Sequence, residues 1–422
     1  MGQALQLGGV AVMIRTVDAK AVDSAKALPD RSILVFSKIP IAPSHGGNRQ
    51  RIRTLLGELR RDHAVTFALI PSRQRRDCDA QGHRDFFGPG RYRPLTRGIV
   101  AETMFNAAAL ARRVRTKVFG DRRSTDVDYL FDRSIRAQCQ RLIAALRPDI
   151  VLVEYVHFSK IFEWVPDDTL KVLDTHDSFV AEFTPAAERK GLARADTILA
   201  IQDREAALFD TLLAGAASTR VATVSHIVAP CAPIDLSRCD GASFIGSNFI
   251  ANNQSLARLI DDVMPLVLAR RPAFKLHVIG SVGDAIPDYP FVVKHGRVDR
   301  IADALVQAPV LANYITAGTG IKIKLLDAMN MGVPCVSTVL GAEGVERGFA
   351  AGVQITDDRQ DFADALVALA DDAARREVMG RAGIAAIARW NERQRAALAE
   401  AFALPGRPVV EERAAIPDGV AA

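Results

Sequence analysis

Short, uninterrupted apolar runs alternate with longer amphipathic segments along most of this chain. The first strong run, Ser32–Ser37, is typical of a strand buried on both faces of a parallel sheet. After a loop rich in proline and glycine, Asn48–Arg61 has apolar residues at helical spacing, and Ala64–Ile70 completes a βαβ unit. Because such crossovers are right-handed, we predict that the loop with Gly46 and Gly47 lies at the carboxyl edge of the sheet, where open α/β folds bind ligands.

The same alternation continues and then restarts after an irregular stretch that contains several prolines. The first series predicts helices Ser134–Leu146 and Thr197–Leu213 and strands Asp149–Glu154, Lys171–Asp174 and Arg220–Val224. The second series predicts strands Ser243–Gly246, Lys275–Ile279, Phe291–Val293, Val310–Ile315 and Val333–Thr338, and helices Asn253–Arg270, Arg300–Gln307, Ile323–Met331 and Asn391–Phe402. Two successive β/α series indicate an α/β protein with two doubly wound, Rossmann-like domains that face a central cleft.

The length of 422 residues also favours two domains, because it exceeds what one hydrophobic core usually supports. We predict a disordered extension at 1–30, a first domain at 31–225, a linker at 226–242 and a second domain at 243–388. A C-terminal helix at 389–404, which could return to the first domain, and a disordered tail at 405–422 complete this expectation.

Apolar runs and cysteine spacing indicate where in the cell the protein is located. No apolar run reaches the length of about 18 residues that a membrane-spanning helix needs. The N-terminal run Leu7–Ile14 has no Lys or Arg before it, unlike a secretory signal peptide. The five cysteines are scattered without a CxxC pair, which indicates neither a disulfide framework nor a zinc site. We therefore expect a cytoplasmic protein that could associate peripherally with the inner face of the membrane.

Positive charge is concentrated in one part of the chain. The formal net charge is +5, and the segment 73–123 is especially rich in arginine. Such a segment can be a solvated surface, or a face for anionic lipid headgroups or a phosphorylated acceptor. No aromatic-interleaved RNA motif and no zinc-finger spacing accompanies the charge, so we do not expect a nucleic-acid partner.

The most informative stretch of the second series reads AGTGIKIKLLDAMNMGVP. Gly318 and Gly320 let backbone amides approach a ligand, and the following helix directs its positive N-terminal end at the same place, which suits a diphosphate. Lys322 and Lys324 add positive charge there. Asp327 lies on the same helix face as Lys324, where its carboxylate can accept hydrogen bonds from ribose hydroxyls. The residues alone leave a second interpretation open: a tight strand-to-helix turn with a surface Lys–Asp pair.

This stretch resembles the donor-binding signature of the group 1 (family 4) retaining glycosyltransferases. The run GTGIKIKLLDAMNMGVPCVSTVLGAEGV has that family's Gly-x-Gly loop, helix, Gly-x-Pro strand and Gly-x-Glu-Gly turn. The resemblance extends to FIGSNFIANNQSLARLIDDVMPLVLARRPAFKLHVIG upstream, and to IPIAPSHGGNRQRIRTLLGELRRDHAVTF and LKVLDTHDSF in the first series. It covers most of 32–390 and is weakest between 71 and 134. It implies a GT-B fold, with an N-terminal acceptor domain and a C-terminal nucleotide-sugar domain.

The resemblance also implies roles for individual residues. Lys324 would neutralise the leaving diphosphate, Asp327 would hold the nucleotide ribose, and His176 would lie near the transferred sugar; these three are the expected catalytic residues. The expected substrate-binding residues are Gly46, Gly47, Gly318, Thr319, Gly320, Ile321, Lys322 and Glu343. From the residues alone, His176 could instead be bonded within its own turn, while Glu154 and His157 could line the same cleft or lie on a loop surface.

Three positions depart from the family pattern. The first acid of the family's Glu-x7-Glu motif is replaced by Thr319, and the second by the shorter Asp327. The loop Ser247–Ile250 also lacks the Arg and Lys that the family usually carries there. The charge needed for the diphosphate would then come from Lys324 and Lys322.

The reaction implied is retaining transfer of a sugar from a nucleotide-diphosphate donor to a polysaccharide, lipid-linked or other glycan acceptor. We expect no bound metal and no cofactor apart from the nucleotide sugar, which is a co-substrate, and we assign no protein nucleophile. Two alternatives stay open. One is a non-catalytic scaffold of a polysaccharide assembly system that has lost its first acid at Thr319, and the other is a sugar-nucleotide epimerase of the same fold.

Overall fold

Two parallel β-sheets, one in each half of the chain, organise the protein in its computed structural model. The structure describes residues 31–403 except 45, 73–77, 108–122, 215–217, 319, 346–348 and 350. The predicted extension at 1–30 and the predicted tail at 405–422 lie outside the described residues. The two sheets with their flanking helices confirm the predicted α/β fold class.

The first sheet has the strand order β3-β2-β1-β4-β5-β6-β7, with parallel pairing throughout its described strands. Its strands are β1 Ser32–Ser37, β2 Ala64–Leu69, β3 Tyr92–Pro94, β4 Ile150–Glu154, β5 Leu170–Asp174, β6 Thr197–Ala200 and β7 Arg220–Thr223. Its helices are Gly47–Asp62, Ala80–Phe87, Arg133–Leu146, Pro185–Leu192 and Asp203–Leu213, with a 3-10 segment at Val156–Trp164. Alternate residues of β1 enter two different core clusters, so helices cover both faces of the sheet.

The second sheet has the strand order β10-β9-β8-β11-β12-β13, again parallel. Its strands are β8 Gly241–Ile245, β9 Lys275–Ile279, β10 Val292–Gly296, β11 Leu311–Asn313, β12 Cys335–Ser337 and β13 Val353–Ile355. Its helices are Ile250–Arg258, Met264–Arg270, Ile301–Leu305, Ile323–Asn330, Arg359–Asp371 and Ala373–Ala401, with 3-10 segments at Ser281–Ala285 and Leu340–Ala342. In both sheets, the predicted site residues lie in or after the loops that follow the carboxyl ends of the strands.

Two predicted helices were wrong in part. The predicted helix Thr197–Leu213 begins with strand β6, and its helical part starts only at Asp203. Strand β6 is buried along its whole length between β5 and β7, and an apolar run buried on both faces has no periodicity that separates strand from helix. The predicted helix Asn253–Arg270 contains a π-helical turn at Leu259–Val263, because Pro265 has no amide hydrogen to donate to the preceding turn.

The C-terminal helix is longer than predicted. It runs without a break from Ala373 to Ala401, so the predicted boundary at 388/389 falls inside it. Its early turns contain Gly380 and Gly383, which weakened the helical signal in the sequence. A Cβ atom on Gly380 would lie 2.2 Å from the carbonyl oxygen of Gly332, so the missing side chain permits close packing against the second domain. The last turns pack into the core of the first domain through Leu398 and Ala401.

The C-terminal helix also holds the chain where it passes between the sheets. The Asn391 amide accepts a hydrogen bond from the Val228 amide (2.9 Å) and donates one to the Val228 carbonyl (2.9 Å). The Trp390 indole donates to the carbonyl of His226 (2.8 Å), and the Gln394 side chain accepts from the amide of Ser225 (2.7 Å). These buried contacts fix the connecting segment, and with it the relation of the two sheets, to one rigid helix.

Replacing Asn391 should therefore destabilise the protein. In Asn391→Ala, the buried amide and carbonyl of Val228 lose their partner, which we expect to cost about 1–3 kcal/mol in the free energy of unfolding. Urea unfolding followed by circular dichroism measures the loss. The exposed neighbour Glu392→Ala is the control and should leave the midpoint unchanged. Equal stability of the two variants would contradict this role of Asn391.

Candidate functional site

The starts of two helices from different domains face each other across the cleft. Gly46, with φ +97°, precedes the helix Gly47–Asp62, and a Cβ atom on Gly47 would lie 3.4 Å from Cδ1 of Ile323. One turn further along, the Gln50 amide donates to the Asp327 carboxylate at 2.8 Å. The structure thus brings the predicted Gly46–Gly47 loop directly opposite the predicted donor-binding helix.

The glycine loop before the second of these helices has the backbone that the sequence predicts. Gly318 has φ +108° and Gly320 φ +74°, conformations that residues with a Cβ rarely adopt. The Lys322 amine donates to the Gly320 carbonyl and so folds back over the loop. Thr319 lies outside the described residues. The side chain of Ile321 is 9% exposed and belongs to a core cluster, so this residue can offer a ligand only its backbone.

The Lys324 side chain crosses beneath the helix start to the end of strand β8. Its amine donates to the Ile245 carbonyl (2.7 Å) and to the Asn252 side chain (3.1 Å). Burial, and the nearby charge of Lys322, lower the pKa of Lys324 to about 8. The amine therefore lies beside the loop Ser247–Ile250, where the sequence has no basic residue.

Asp327 is the buried carboxylate of this side of the cleft. Burial raises its pKa to about 6, while the hydrogen bond from Gln50 acts in the opposite direction. The carboxylate is thus ionised at neutral pH and accepts a hydrogen bond from Gln50 of the other domain. A ligand with two neighbouring hydroxyls can offer this group more hydrogen bonds than Gln50 does.

A third contact across the cleft involves Glu343, one of the predicted substrate-binding residues. Its carboxylate pairs with the Arg204 guanidinium (2.7 Å), which extends from the start of the helix Asp203–Leu213. Burial lowers the pKa of the Lys322 amine, and the negative charges of Glu343 and Asp177 act in the opposite direction. Lys322 and the loop that follows His176 therefore face the same region.

His176 lies on the first-domain side of the cleft, immediately after strand β5. Its Nε2 contacts the Glu154 carboxylate, and its ring stacks on Tyr155 with centroids 4.4 Å apart and planes 3° apart. Nε2 is also 3.6 Å from the Asp174 carboxylate. Asp174 in turn pairs with the buried guanidinium of Arg51 at 2.7 Å. His176 is thus held by neighbouring strands and not merely within its own turn.

Among the described residues, one group has metal-ligand types at suitable spacing. The ligand atoms of Glu154, Asp174 and His176 all lie within 4.8 Å of one another, and all three residues are buried. Arg51 already places a positive charge against one Asp174 oxygen, and Glu154 already bonds the imidazole. The oxygens Glu154 Oε1 and Asp174 Oδ2 have no hydrogen-bond partner in the structure, so each keeps an unused acceptor for a hydrogen bond or a cation.

The sequence did not predict two residues of the site, Gln50 and Arg51. Gln50 and Arg51 looked like ordinary polar positions of an amphipathic helix, and only the pairing of β1, β4 and β5 brings Arg51 to the end of β5. Glu154 and His157 do not line the cleft or lie on a loop surface, because both are almost fully buried. His157 bonds Glu182 (3.1 Å) in an aromatic cluster.

Comparison with known proteins identifies the second domain. Residues 241–372 match the family described as "Glycosyl transferases group 1". This matched range contains the glycine loop, both lysines and Asp327. In this range the chain is similar to the group 1 glycosyl transferases. A curated relative, an "Uncharacterized 44.6 kDa protein in cps region" of Klebsiella pneumoniae, is 28% identical over 146 residues. The alignment covers 32% of this chain and spans 37% of the length of that relative.

Solved structures extend the comparison beyond the group 1 glycosyltransferase domain to the whole fold. TarM matches with a TM-score of 0.64 at 12% identity, over 89% of this chain and 99% of TarM. The lipopolysaccharide outer core galactosyltransferase WaaB in its apo form matches with 0.57 at 14% identity, over 88% and 99%. Anabaena HepE in complex with UDP and glucose matches with 0.57 at 14% identity, over 88% and 98%. The chain therefore has the GT-B fold of glycosyltransferase enzymes.

The Arg-rich segment is only partly a charged surface. The Arg97 side chain is 2% exposed; it pairs with Asp132 and donates to the Pro71 carbonyl at 2.9 Å. Ile99, Val100 and Met104, which follow directly, are strongly exposed. The helices within the described residues include none that is long and apolar enough to cross a membrane.

The buried Arg51–Asp174 pair gives a test of the first-domain side of the site. Arg51→Met leaves the Asp174 carboxylate buried without its cation, which we expect to cost about 3–5 kcal/mol in the free energy of unfolding. The double variant Arg51→Met/Asp174→Asn removes both charges and should recover more than half of that loss. Denaturant unfolding of the two variants measures this difference. A double variant no more stable than Arg51→Met would contradict the pairing.

Proposed function

We propose that this protein transfers a sugar, with retention of anomeric configuration, from a nucleotide-diphosphate sugar to a glycan acceptor. The proposal rests on one observation: two sets of functional groups face each other across one cleft. The second domain offers a glycine loop, a helix start, two lysines and Asp327, and the first domain offers Gln50 and His176. The group 1 glycosyltransferase domain and the GT-B fold support this assignment.

The nucleotide diphosphate is assigned to the second domain. Backbone amides of the loop Gly318–Gly320 and the start of the helix Ile323–Asn330 suit the phosphates, since a helix N-terminus carries partial positive charge. Asp327 accepts from the ribose hydroxyls and exchanges the Gln50 amide for them. Since the Gln50 amide already donates to this carboxylate, other hydrogen-bond donors, such as ribose hydroxyls, can reach it.

Lys322 and Lys324 stabilise the departing diphosphate. Their amines lie at the loop and beneath the helix start, and both are buried, so their charges act at low dielectric. As the sugar becomes oxocarbenium-like, negative charge collects on the leaving phosphate, and this preorganised positive charge lowers the barrier. The charge comes from the protein and its backbone, so the proposal includes no resident cofactor.

His176 is assigned to the transferred sugar, because it lies two residues after the central strand β5 and next to Asp177, whose charge acts on Lys322. Closure of the two domains excludes water and so limits hydrolysis of the donor. No side chain is assigned as a nucleophile.

The acceptor is proposed to be a polysaccharide or lipid-linked glycan. The relative from Klebsiella pneumoniae is named for its cps region. WaaB is named as a lipopolysaccharide galactosyltransferase, and a S. aureus TarM variant was solved with Fondaparinux, alpha-GlcNAc-glycerol and UDP. The first domain supplies the acceptor side in this proposal, as the second supplies the donor side.

A non-catalytic scaffold is the second candidate. Two charged groups of the predicted site, Asp327 and Glu343, are each bonded to the opposite domain, which is also what a permanently closed protein would show. Thr319 in place of the family's first acid agrees with this alternative. Turnover separates the candidates, since only the transferase releases nucleotide diphosphate from a nucleotide sugar.

Asp327→Ala should weaken nucleotide binding by about 10- to 100-fold, because charged hydrogen bonds to hydroxyls are lost. Calorimetry with UDP, GDP, ADP and TDP measures the affinity. With a pKa of about 6, Asp327 loses its charge as pH falls through 6, so wild-type affinity should drop about tenfold between pH 7.5 and pH 5. Asp327→Asn controls for the nucleotide's own titration and should lack this component.

Gln50→Ala is the matched control, because it removes the same contact across the cleft and keeps the carboxylate. It should bind within a few-fold of wild type. Equal losses in Gln50→Ala and Asp327→Ala would show that Asp327 acts through the domain contact and would overturn the ribose assignment. Absence of binding to any of the four nucleotides would favour the scaffold.

We further propose that the protein works in the cytoplasm at the inner face of the membrane. The exposed apolar side chains of Ile99, Val100 and Met104 lie beside a basic stretch that includes the exposed Arg91. Apolar residues next to basic ones suit the interface of a membrane with anionic headgroups.

Vesicle binding tests this surface. Wild-type protein should sediment with phosphatidylglycerol vesicles, not with phosphatidylcholine vesicles, and salt should reduce the bound fraction. The double variant Val100→Asp/Met104→Asp should reduce it several-fold. Val378→Asp, at an exposed valine of the C-terminal helix, is the control and should bind like wild type. Equal sedimentation with both lipids would contradict the proposal.

A further inference from the structure

Two residues beside the cleft have a backbone that side-chain-bearing residues rarely adopt. Tyr155 has φ +72° and His176 φ +62°, and each follows one of the adjacent parallel strands β4 and β5. The remaining non-glycine residue of this kind in the described chain, Arg147, caps a helix end, where a left-handed residue is common. Unfavourable conformations at two neighbouring strand ends indicate a constraint beyond folding, and such constraints cluster at functional sites.

The side chains of Tyr155 and His176 stack on each other. The Tyr155 and His176 rings are parallel within 3°, and the Lys38 amine, at the end of strand β1, lies 4.5 Å from the Tyr155 ring centroid. Asn48, in the first turn of the helix after the Gly46–Gly47 loop, reaches the Tyr155 hydroxyl at 3.5 Å. Three neighbouring strands and the glycine loop thus determine the plane of the imidazole.

Glu154 determines the remaining choice, which is the one of two ring orientations, related by a flip about the Cβ–Cγ bond, that His176 adopts. It is fully buried as the last residue of β4, and its carboxylate contacts Nε2 of His176. Burial and the charge of Asp174 raise the pKa of Glu154, while His176 and Arg51 supply positive charge that favours its ionised form. A buried carboxylate in such a place costs stability unless it is paired, so its contact with one imidazole is specific.

We propose that Glu154 is a positioning residue that binds Nε2 of His176 and so turns Nδ1 toward the transferred sugar. With Nε2 bonded beneath the cleft, Nδ1 is the ring nitrogen available to a sugar hydroxyl. This inference rests on the proposed function for the identity of the ligand, but not for the geometry of the ring.

The kinetic test compares Glu154→Gln and Glu154→Ala with wild type. Glutamine keeps a hydrogen-bonding side chain beside Nε2 and should lower kcat about 10-fold, whereas alanine frees the ring and should lower it about 100-fold. Donor KM should change little in both. Glu188→Gln, a second buried glutamate, controls for the loss of a buried charge and should keep kcat.

A double-mutant cycle shows whether Glu154 acts through the imidazole. In a His176→Ala background, Glu154→Ala should cause no further loss of kcat, because the group it positions is already absent. Additive losses, or wild-type kcat in Glu154→Ala, would overturn the proposal. If Glu154→Ala does not fold, Glu154→Gln in both backgrounds gives the same comparison.

A measurement without turnover separates this proposal from the proposed function. In protein labelled with ¹⁵N-histidine, His176 should show a proton fixed at the Glu154 contact in wild type and exchanging ring states in Glu154→Gln. This holds even if the wild type transfers no sugar, which would refute only the proposed function. Identical spectra would overturn the positioning role. A rise in Tm with Mn²⁺ or Zn²⁺ that Glu154→Gln abolishes would also overturn it, because the cluster would then be a metal site.

Discussion

The buried ion pair between Arg51 and Asp174 is the constraint on which the first-domain side of the cleft depends. Arg51 lies in the second turn of the helix Gly47–Asp62, and its guanidinium also donates to the Val224 carbonyl at 2.9 Å. A buried arginine tolerates few positions, since its charge must meet a carboxylate. The pair therefore fixes the start of that helix over the ends of β5 and β7, and with it the loop that faces the second domain.

The contacts within each domain and those across the cleft differ in kind. Each sheet is covered on both faces by apolar clusters that are almost completely buried. The contacts described across the cleft are largely polar, such as Gln50–Asp327 and Arg204–Glu343, the latter with an arginine side chain 81% exposed. The exposed Arg204–Glu343 pair contributes little free energy. The stability of the two cores therefore does not depend on this contact, and the C-terminal helix keeps the domains connected.

The sequence predicted the parts of the structure that follow from local patterns. Strand β1 begins and ends where the apolar run does, and the Gly318–Gly320 loop adopts the positive φ angles that favour glycine. Strand β6 was not predicted, because its three apolar residues, shortly before a helix, carry no distinct period. The cluster around His176 was not predicted either. Its members are distant in sequence and meet only because β1, β4 and β5 are neighbours in the sheet.

Lys324 places its charge beside a loop to which it does not belong in sequence. The loop after β8 lacks basic residues, yet the Lys324 amine lies at the end of β8, bonded to the Ile245 carbonyl and to Asn252. A helix residue thus places a positive charge beside a loop that has no basic residue. Burial lowers the pKa of Lys324 to about 8, so the amine is mostly protonated at neutral pH. A buried cation next to one carbonyl and one amide is incompletely neutralised, and a diphosphate is the kind of ligand that would complete it.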